Sequence, residues 1–310
     1  MKNLKGKNCL LTGAASGIGR SLAILLAQEG MNICIVDIDA DNLENVRKEV
    51  EDLGAKVYSR KCDISKLDEI QKIADEFYQE LGDVDLLINN AGVAGGGFIV
   101  DISLEEWKRV LDVNLWSIIY AVKVFLPKML ERGSGHFVNT GSGAGIIGLP
   151  YHIHYVASKF AVVGLTEALY SELHDSGVNF SVICPTRVKT NMARSSPIKI
   201  DPRLYSITDK DEIERKSEEF KDIFSEKFYD GGVDPDDAAK RYLKGIKKNR
   251  LYIFDVKILR AANFIKAVAL KHGWKGILKK QQVDDYLTME TSLIEAGLTT
   301  KEHLDKELGH

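Results

Sequence analysis

Residues 155–159 read YVASK, which puts a phenol and an ammonium four positions apart at Tyr155 and Lys159, on one face of any helix that contains them. A phenol with a pKa near 10 is a poor base at neutral pH, but a nearby cation favours the phenolate. So biased, Tyr155 could take a proton from an alcohol or return one to a ketone. Tyrosine–lysine pairs at this spacing are also common on ordinary helices, so the pair needs support from the rest of the chain.

Two glycine-rich stretches compete as a phosphate loop. GAGIIG (143–148) fits the dinucleotide pattern G-x-G-x-x-G letter for letter, whereas TGAASGIG (12–19) has a different spacing. Context decides between them. A phosphate loop needs a strand that turns tightly into a helix, so that the helix's free amides and positive dipole end face the anion. Residues 12–19 meet that condition: Gly13 makes the turn, Gly17 keeps a side chain out of the phosphate path, and Gly19 permits close helix packing. Asp37 ends the next strand at about the distance at which a carboxylate reaches a ribose. GAGIIG runs instead into LPYHIH, where Pro150 delays the helix, so its match is read as accidental.

Short apolar runs alternate with helical patterns, as crossover units on a parallel sheet require. Strands are expected at 8–12, 32–36, 56–61, 84–89, 136–140, 178–183 and 251–256. Helices are expected from about 17 to Gly30 and near 41–53, 66–80, 103–132, 153–175 and 236–247. The reading is an α/β, Rossmann-like doubly wound sheet of about seven strands in one domain, residues 1–256, with a helical C-terminal extension over 257–310. The stretch 190–232 looks irregular and too long for an ordinary connection. With Tyr205, Phe220, Phe224 and Phe228 it is expected to be a mobile lid over substrate or, equally, a helical insertion packed on the body.

With 45% hydrophobic and 28% charged residues and a net charge of -3, the 310-residue chain has no basic excess for nucleic acid. Cys9, Cys34, Cys62 and Cys184 are scattered singly, which offers neither a metal-ligand pattern nor a disulfide framework and points to a reducing, cytoplasmic setting. No signal peptide is read, and no apolar run is expected to reach the roughly 18 residues that span a bilayer.

From about residue 4 to 256 the chain resembles the short-chain dehydrogenase/reductase family. The resemblance rests on TGAASGIG (12–19), NNAG (89–92), Asn114 in LDVNLW, Ser142 in NTGSGAG and YVASK, in the expected order. It implies that Tyr155 is the catalytic acid/base and that Lys159 lowers its pKa while holding the nicotinamide ribose. Ser142 would hydrogen-bond the substrate oxygen from a flexible loop, and Asn114 would position a relay water. The cofactor would rest on Gly13, Ser16, Gly17, Ile18 and Gly19, with Asp37 at the adenosine ribose and Asn90, Ala91 and Gly92 forming the turn after the fourth strand. Asp63, with Ile64, resembles the adenine-binding position but reads equally as a plain helix cap. Pro185, Val188 and Thr190 fit the segment that clasps the carboxamide, although Thr186 stands where a glycine usually follows the proline.

Asp37 would repel a 2′-phosphate, and Ala15 and Ser16 supply no cation for one, so NAD is expected over NADP, with Arg20 the one residue that could still reach a phosphate. The substrate side, including Gly143 and Met192 beside Ser142 and Tyr155, is small or apolar with no arginine for a carboxylate. An uncharged hydrophobic alcohol or ketone is expected, steroid-like compounds among them. His152 and His154 are assigned to the substrate wall or the surface. Residues 256–280 carry lysines and an arginine but no acid, and could lie on a membrane surface or pack on the body or a partner subunit. The resemblance also implies a homodimer or homotetramer built on the helices near 103–132 and 153–175. An NADPH-dependent 3-oxoacyl thioester reductase and a non-catalytic nucleotide sensor are the rival readings.

Overall fold

The computed structural model describes residues 1–200, 203, 205–256 and 288–308. In chain order these form β1 (Asn8–Thr12), α1 (Gly17–Gln28), β2 (Asn32–Asp37), α2 (Ala40–Asp52), β3 (Val57–Lys61), α3 (Leu67–Glu80), β4 (Leu86–Asn89) and β5 (Gly96–Gly97). There follow α4 (Leu104–Leu111), a π turn (Asp112–Trp116), α5 (Ser117–Arg132), β6 (Gly135–Thr140), α6 (Ile153–Glu172) and β7 (Val178–Cys184). The remainder comprises α7 (Met192–Ser195), β8 (Ile198–Lys199), α8 (Lys210–Tyr229), α9 (Pro235–Ile246), β9 (Tyr252–Phe254), a helix over 288–295 and a last helix Lys301–Leu308.

Seven strands pair in parallel in the order β3-β2-β1-β4-β6-β7-β9, as the alternation of elements requires. Both faces are covered, which is why β1 reads CLL rather than apolar-polar-apolar. Leu11 faces Leu22 and Leu26 of α1, Val46 of α2 and Tyr242 of α9. Leu10 faces the other layer with Ile73 and Phe77 of α3 and Phe125 and Met129 of α5. The rings of Phe137 and Phe180 stack there at 5.7 Å. Each such buried side chain contributes on the order of 2 kcal/mol. The strand order reverses at β1 and β4, so the crevice that can take a ligand opens at the carboxyl ends of these two strands.

Two expectations change. The helix Leu104–Arg132 is continuous through the π turn and, at mean hydropathy 1.5, long and apolar enough to cross a membrane by length and composition. It is apolar because it packs on the sheet, burying Ala121, Phe125, Leu126 and Met129. The stretch 190–232 is not irregular, since α8 fills twenty residues of it, capped by the Asp209 side chain on the Glu212 amide. Its Phe220 and Phe224 are buried against Leu293, Ala296 and Leu298 of the C-terminal segment, with Tyr205 and Phe228 at the edge of that cluster. The basic stretch 256–280 lies, apart from Val256, outside the described residues.

A small second sheet was not foreseen. β5 pairs in parallel with β8, Gly96 opposite Ile198, and joins the loop after β4 to the segment after β7.

His136 is fully buried in β6, and its Nε2 lies 2.8 Å from the Ser181 hydroxyl. That hydroxyl donates to the Arg250 carbonyl, so the histidine must be the donor between them. Burial, helped by the N-terminal ammonium, lowers its pKa to about 3. The unfolded chain therefore binds a proton that the folded protein refuses. Stability is unaffected by this group above about pH 6.5 and falls steadily as pH drops from there towards 3, by up to several kcal/mol. Thermal unfolding against pH should show this slope, and His136→Gln should flatten it between pH 6.5 and 4; an unchanged slope would remove His136 as its source.

Candidate functional site

The loop between β1 and α1 is set by backbone contacts. Gly13 and Gly17 have φ of 67° and 52°, in the left-handed region that glycine adopts freely. A Cβ on Gly19 would sit 1.9 Å from the Gly13 carbonyl oxygen, so α1 can approach the loop only because residue 19 has none. The Asn90 side chain donates to the Thr12 and Gly13 carbonyls, and the Thr12 hydroxyl accepts from the amides of Asn90 and Ala91. β4 is thereby stitched to the loop. Ser16 is the N-cap of α1, yet no side chain caps that end, unlike α2, α4, α8 and α9. Amides at and after Gly17, Ile18 included, are left for another acceptor, which is the condition for holding an anion.

Asp37 ends β2 with one carboxylate oxygen accepting from the Ala15 amide at 2.9 Å and the other from Asp39. It braces the glycine loop from the end of β2. Arg20 is engaged by Glu49 of α2 through two hydrogen bonds at 2.6 and 3.2 Å. Asp63 caps the turn before α3, accepting from the Ser65 amide and hydroxyl, while its own amide donates to Glu69. Asp63 therefore closes a local turn, while α3 itself starts after Lys66 with no side-chain cap, so the plain helix-cap reading is not realised; Ile64 lies buried beside it.

At the same edge of the sheet, α6 presents Tyr155 and Lys159. Lys159 is buried and its ammonium donates at 2.8 Å to the Thr140 carbonyl at the end of β6. An ammonium has three donors, and this one also lies beside Gly92, where a Cβ would be 3.4 Å from Nζ and 3.2 Å from Asn114 Oδ1. Burial lowers the Lys159 pKa to about 8. Burial pushes the Tyr155 phenol up to about 12, against the opposing influence of the neighbouring Ser142 side chain and with Tyr229 adding to the rise. The expected lowering by Lys159 is absent from the protein alone: its ammonium stands 5.7 Å from the ring centroid and is turned to Thr140, so desolvation prevails.

Ser142 does not sit on a flexible loop. It caps a 3-10 turn, Gly143–Gly145, its hydroxyl accepting from the Ala144 amide while the Gly143 amide donates to the Pro185 carbonyl at 2.7 Å. The GAGIIG glycines are therefore beside Ser142, and a Cβ on Gly145 would strike the Lys159 carbonyl. Asn114, buried in the π turn, uses its amide on the Val93 amide and carbonyl and on the Ser158 hydroxyl, which in turn donates to the Tyr155 carbonyl. Its side chain is a clamp between the loop after β4 and α6.

His152 and His154 do not behave alike. His152 pairs its Nδ1 with the Gly95 carbonyl, holding the loop that leads into β5. His154 is fully buried, 5.9 Å from the Trp107 ring and 3.9 Å from Glu106, so the surface assignment fails for it. Burial lowers its pKa.

After β7, Thr186 replaces the expected glycine and the structure explains how it is tolerated. Its amide and hydroxyl both donate at 2.8 Å to one oxygen of buried Asp255, which also accepts from Tyr242. Val188 bridges to Val233, and Thr190 faces the glycine loop, its Cγ2 2.9 Å from where a Cβ on Gly17 would be. Met192 opens α7, its amide donating to the Thr190 hydroxyl at 3.4 Å. Tyr229, not singled out by the sequence, meets this segment from the end of α8: its hydroxyl lies 3.3 Å from Thr190 Oγ1 and accepts from the Ala193 amide at 3.2 Å. The F-x3-F-x3-F spacing of Phe220, Phe224 and Phe228 was the signal for the helix that brings it.

A cavity of about 850 Å³ opens beside the uncapped end of α1, lined by Ser16, Gly17, Thr190, Asn191, Tyr229 and Asp236 among others. Ser142, Tyr155 and Lys159 do not line it, so this is the glycine-loop side of the site. Glycine cradle, uncapped amides and an ammonium with spare donors fit a dinucleotide. Among the described residues no three His, Cys, Asp or Glu side chains converge as metal ligands.

The short chain dehydrogenase profile matches residues 7–200. The chain is 34% identical over 277 residues to human epidermal retinol dehydrogenase 2, covering 88% of this chain and 81% of the relative. It is 35% identical over 196 residues to the 3-oxoacyl-[acyl-carrier-protein] reductase of Thermotoga maritima, covering 63% and 80%. Among solved structures, a short chain dehydrogenase/reductase from Burkholderia phymatum in complex with NAD superposes with TM-score 0.75 at 32% identity, covering 87% of this chain and 96% of that one. A metagenomic short-chain oxidoreductase in complex with NADP gives 0.57 at 32%, covering 59% and 83%. The protein belongs to the short-chain dehydrogenase/reductase family, oxidoreductases that act on alcohols and ketones with NAD or NADP.

The two glycine stretches make opposite predictions. Gly19→Ala forces a Cβ into the Gly13 carbonyl and should lower the melting temperature and weaken binding of reduced nicotinamide dinucleotide at least tenfold, read by its fluorescence. Gly148→Ala, with nothing within 4 Å of the new Cβ, should leave both within error. Equal effects would remove the distinction drawn between the loops.

Proposed function

We propose that the protein is an NAD-dependent oxidoreductase that interconverts a hydrophobic, uncharged secondary alcohol and its ketone, with steroid-like compounds in the class. The observation that carries this is Tyr155 placed near Ser142 and one helical turn from buried Lys159, at the strand ends that also hold the glycine loop.

Bound NAD supplies the hydride acceptor for the alcohol, and its reduced form the donor for the ketone. The protein's own groups handle the proton. Tyr155 as phenolate takes it from the substrate hydroxyl, or as phenol returns it to the carbonyl oxygen, while Ser142 donates a hydrogen bond that fixes that oxygen in place. Lys159, with donors to spare, holds ribose hydroxyls and keeps positive charge near the phenol. Asn114 is a positioning residue through Val93 and Ser158. Gly143 and Met192 flank the substrate, and residues 190–232 cover it as a lid.

NAD is favoured by Asp37 at the end of β2, a carboxylate that would repel a 2′-phosphate on the ribose, and by the engagement of Arg20 with Glu49. Both partners of that pair are exposed, so it restrains Arg20 only modestly. The resemblance to a 3-oxoacyl reductase supports a second reading with NADPH and a thioester substrate. The intact Asn114, Ser142, Tyr155 and Lys159 speak against a non-catalytic sensor. A homodimer or homotetramer is favoured by Trp116, Leu130 and Tyr170, left partly exposed on α5, α6 and the π turn. Four free buried thiols suit a cytoplasmic location.

A panel of cyclic, aliphatic and steroid alcohols with each oxidised cofactor, followed at the reduced-nicotinamide absorbance, tests the reading. The expected result is a higher kcat/KM with NAD and a loss of about 100-fold or more in Tyr155→Phe. A preference for NADP(H), or turnover of a 3-oxoacyl thioester alone, would transfer the assignment to the second reading.

A further inference from the structure

α8 ends at Tyr229, and the way that end is fastened says what the helix is for. On its outer side the helix is held by burial, with Phe220 and Phe224 packed on Leu293, Ala296 and Leu298 and the Lys216 ammonium donating to the Gly297 carbonyl. On its inner side two polar links reach the segment after β7. One is the Arg194–Asp222 pair, whose side chains are more than half exposed. Such a pair adds little in water. The other is the Tyr229 hydroxyl, partly buried, which meets Thr190 Oγ1 at 3.3 Å and the Ala193 amide at 3.2 Å. Its ring is fixed edge-on to Phe228 at 5.1 Å, and the Arg187 guanidinium lies 5.5 Å from the Phe228 ring.

Thr190 is the residue that closes on the glycine loop, its methyl 2.9 Å from where a side chain on Gly17 would begin. Tyr229, Thr190, Gly17 and Ser16 all line the same cavity at the uncapped end of α1. We infer that Tyr229 is a positioning residue for the dinucleotide: its hydroxyl latches the Thr190–Ala193 segment over the glycine loop, so that α8 and the C-terminal segment behind it set cofactor affinity without touching the reacting atoms. This rests on the proposed use of a nicotinamide dinucleotide, and the latch follows from contacts between residues 36 and 39 positions apart in the chain.

Tyr229→Phe removes the hydroxyl and keeps the ring. Losing two neutral hydrogen bonds from the closed segment should raise the NADH dissociation constant about tenfold, measured by fluorescence titration of the full-length protein. The cofactor KM should rise in step, and kcat with cofactor saturating should fall less than threefold. Because the hydroxyl acts partly through Thr190, Tyr229→Phe combined with Thr190→Val should weaken binding by less than the product of the two single effects. A Tyr229→Phe protein with unchanged melting temperature and a dissociation constant within twofold of wild type would overturn the latch, as would strictly multiplicative effects in the double variant. Should the wild-type protein bind neither NADH nor NADPH, the dinucleotide reading itself falls and the latch with it.

Discussion

The Gly13 carbonyl occupies the point where three elements meet. It takes a hydrogen bond from Asn90 at the end of β4, it belongs to the turn out of β1, and it lies where residue 19 of α1 would carry a side chain. Any larger residue at 19 would separate α1 from the sheet at the place where strand order reverses. That one backbone approach fixes where the helix amides point and where the crevice opens. It also makes the ends of β4 and β6, which carry Gly92 and Thr140, the neighbours of the glycine loop.

The chemistry of the site is governed by burial as much as by charge. Lys159 is held out of water with one backbone carbonyl as its protein partner, which brings its pKa to about 8. Tyr155 is moved the opposite way by the same desolvation, because for a phenol it is the charged form that is lost. The free protein therefore holds a neutral phenol and a weakened ammonium. A cation brought close to Tyr155 would act in this low-dielectric surrounding with little screening, and the site's acid/base poise depends on what fills it.

Around that centre the loops are tied down by polar side chains rather than left mobile. Asn114 and His152 hold the loop after β4, Asp255 holds Thr186, Asp37 holds Ala15, and Tyr229 holds Thr190. Buried carbonyls and amides in such loops must find partners, and these side chains are the partners found. The short β5–β8 pairing adds a backbone seam between the loop after β4 and the segment after β7.

Much of this was legible in the residues themselves. Apolar runs without polar alternation announced strands covered on both faces, the strand-to-helix context of residues 12–19 announced the glycine turn into α1, and Tyr155 with Lys159 announced a shared helical face. These are local signals, carried by spacings of a few residues, and the sheet and the placing of Tyr155 and Lys159 at its edge followed from them. Tertiary structure alone decided that His154 is buried beside Trp107, that Thr186 is matched by Asp255 69 positions on, and that the aromatic residues of α8 turn away from the site towards 293–298 while Tyr229 turns in. Such pairings join residues tens of positions apart and leave no period in the sequence. They exist only because the packed layers bring their elements together and an unpartnered polar group there would be costly.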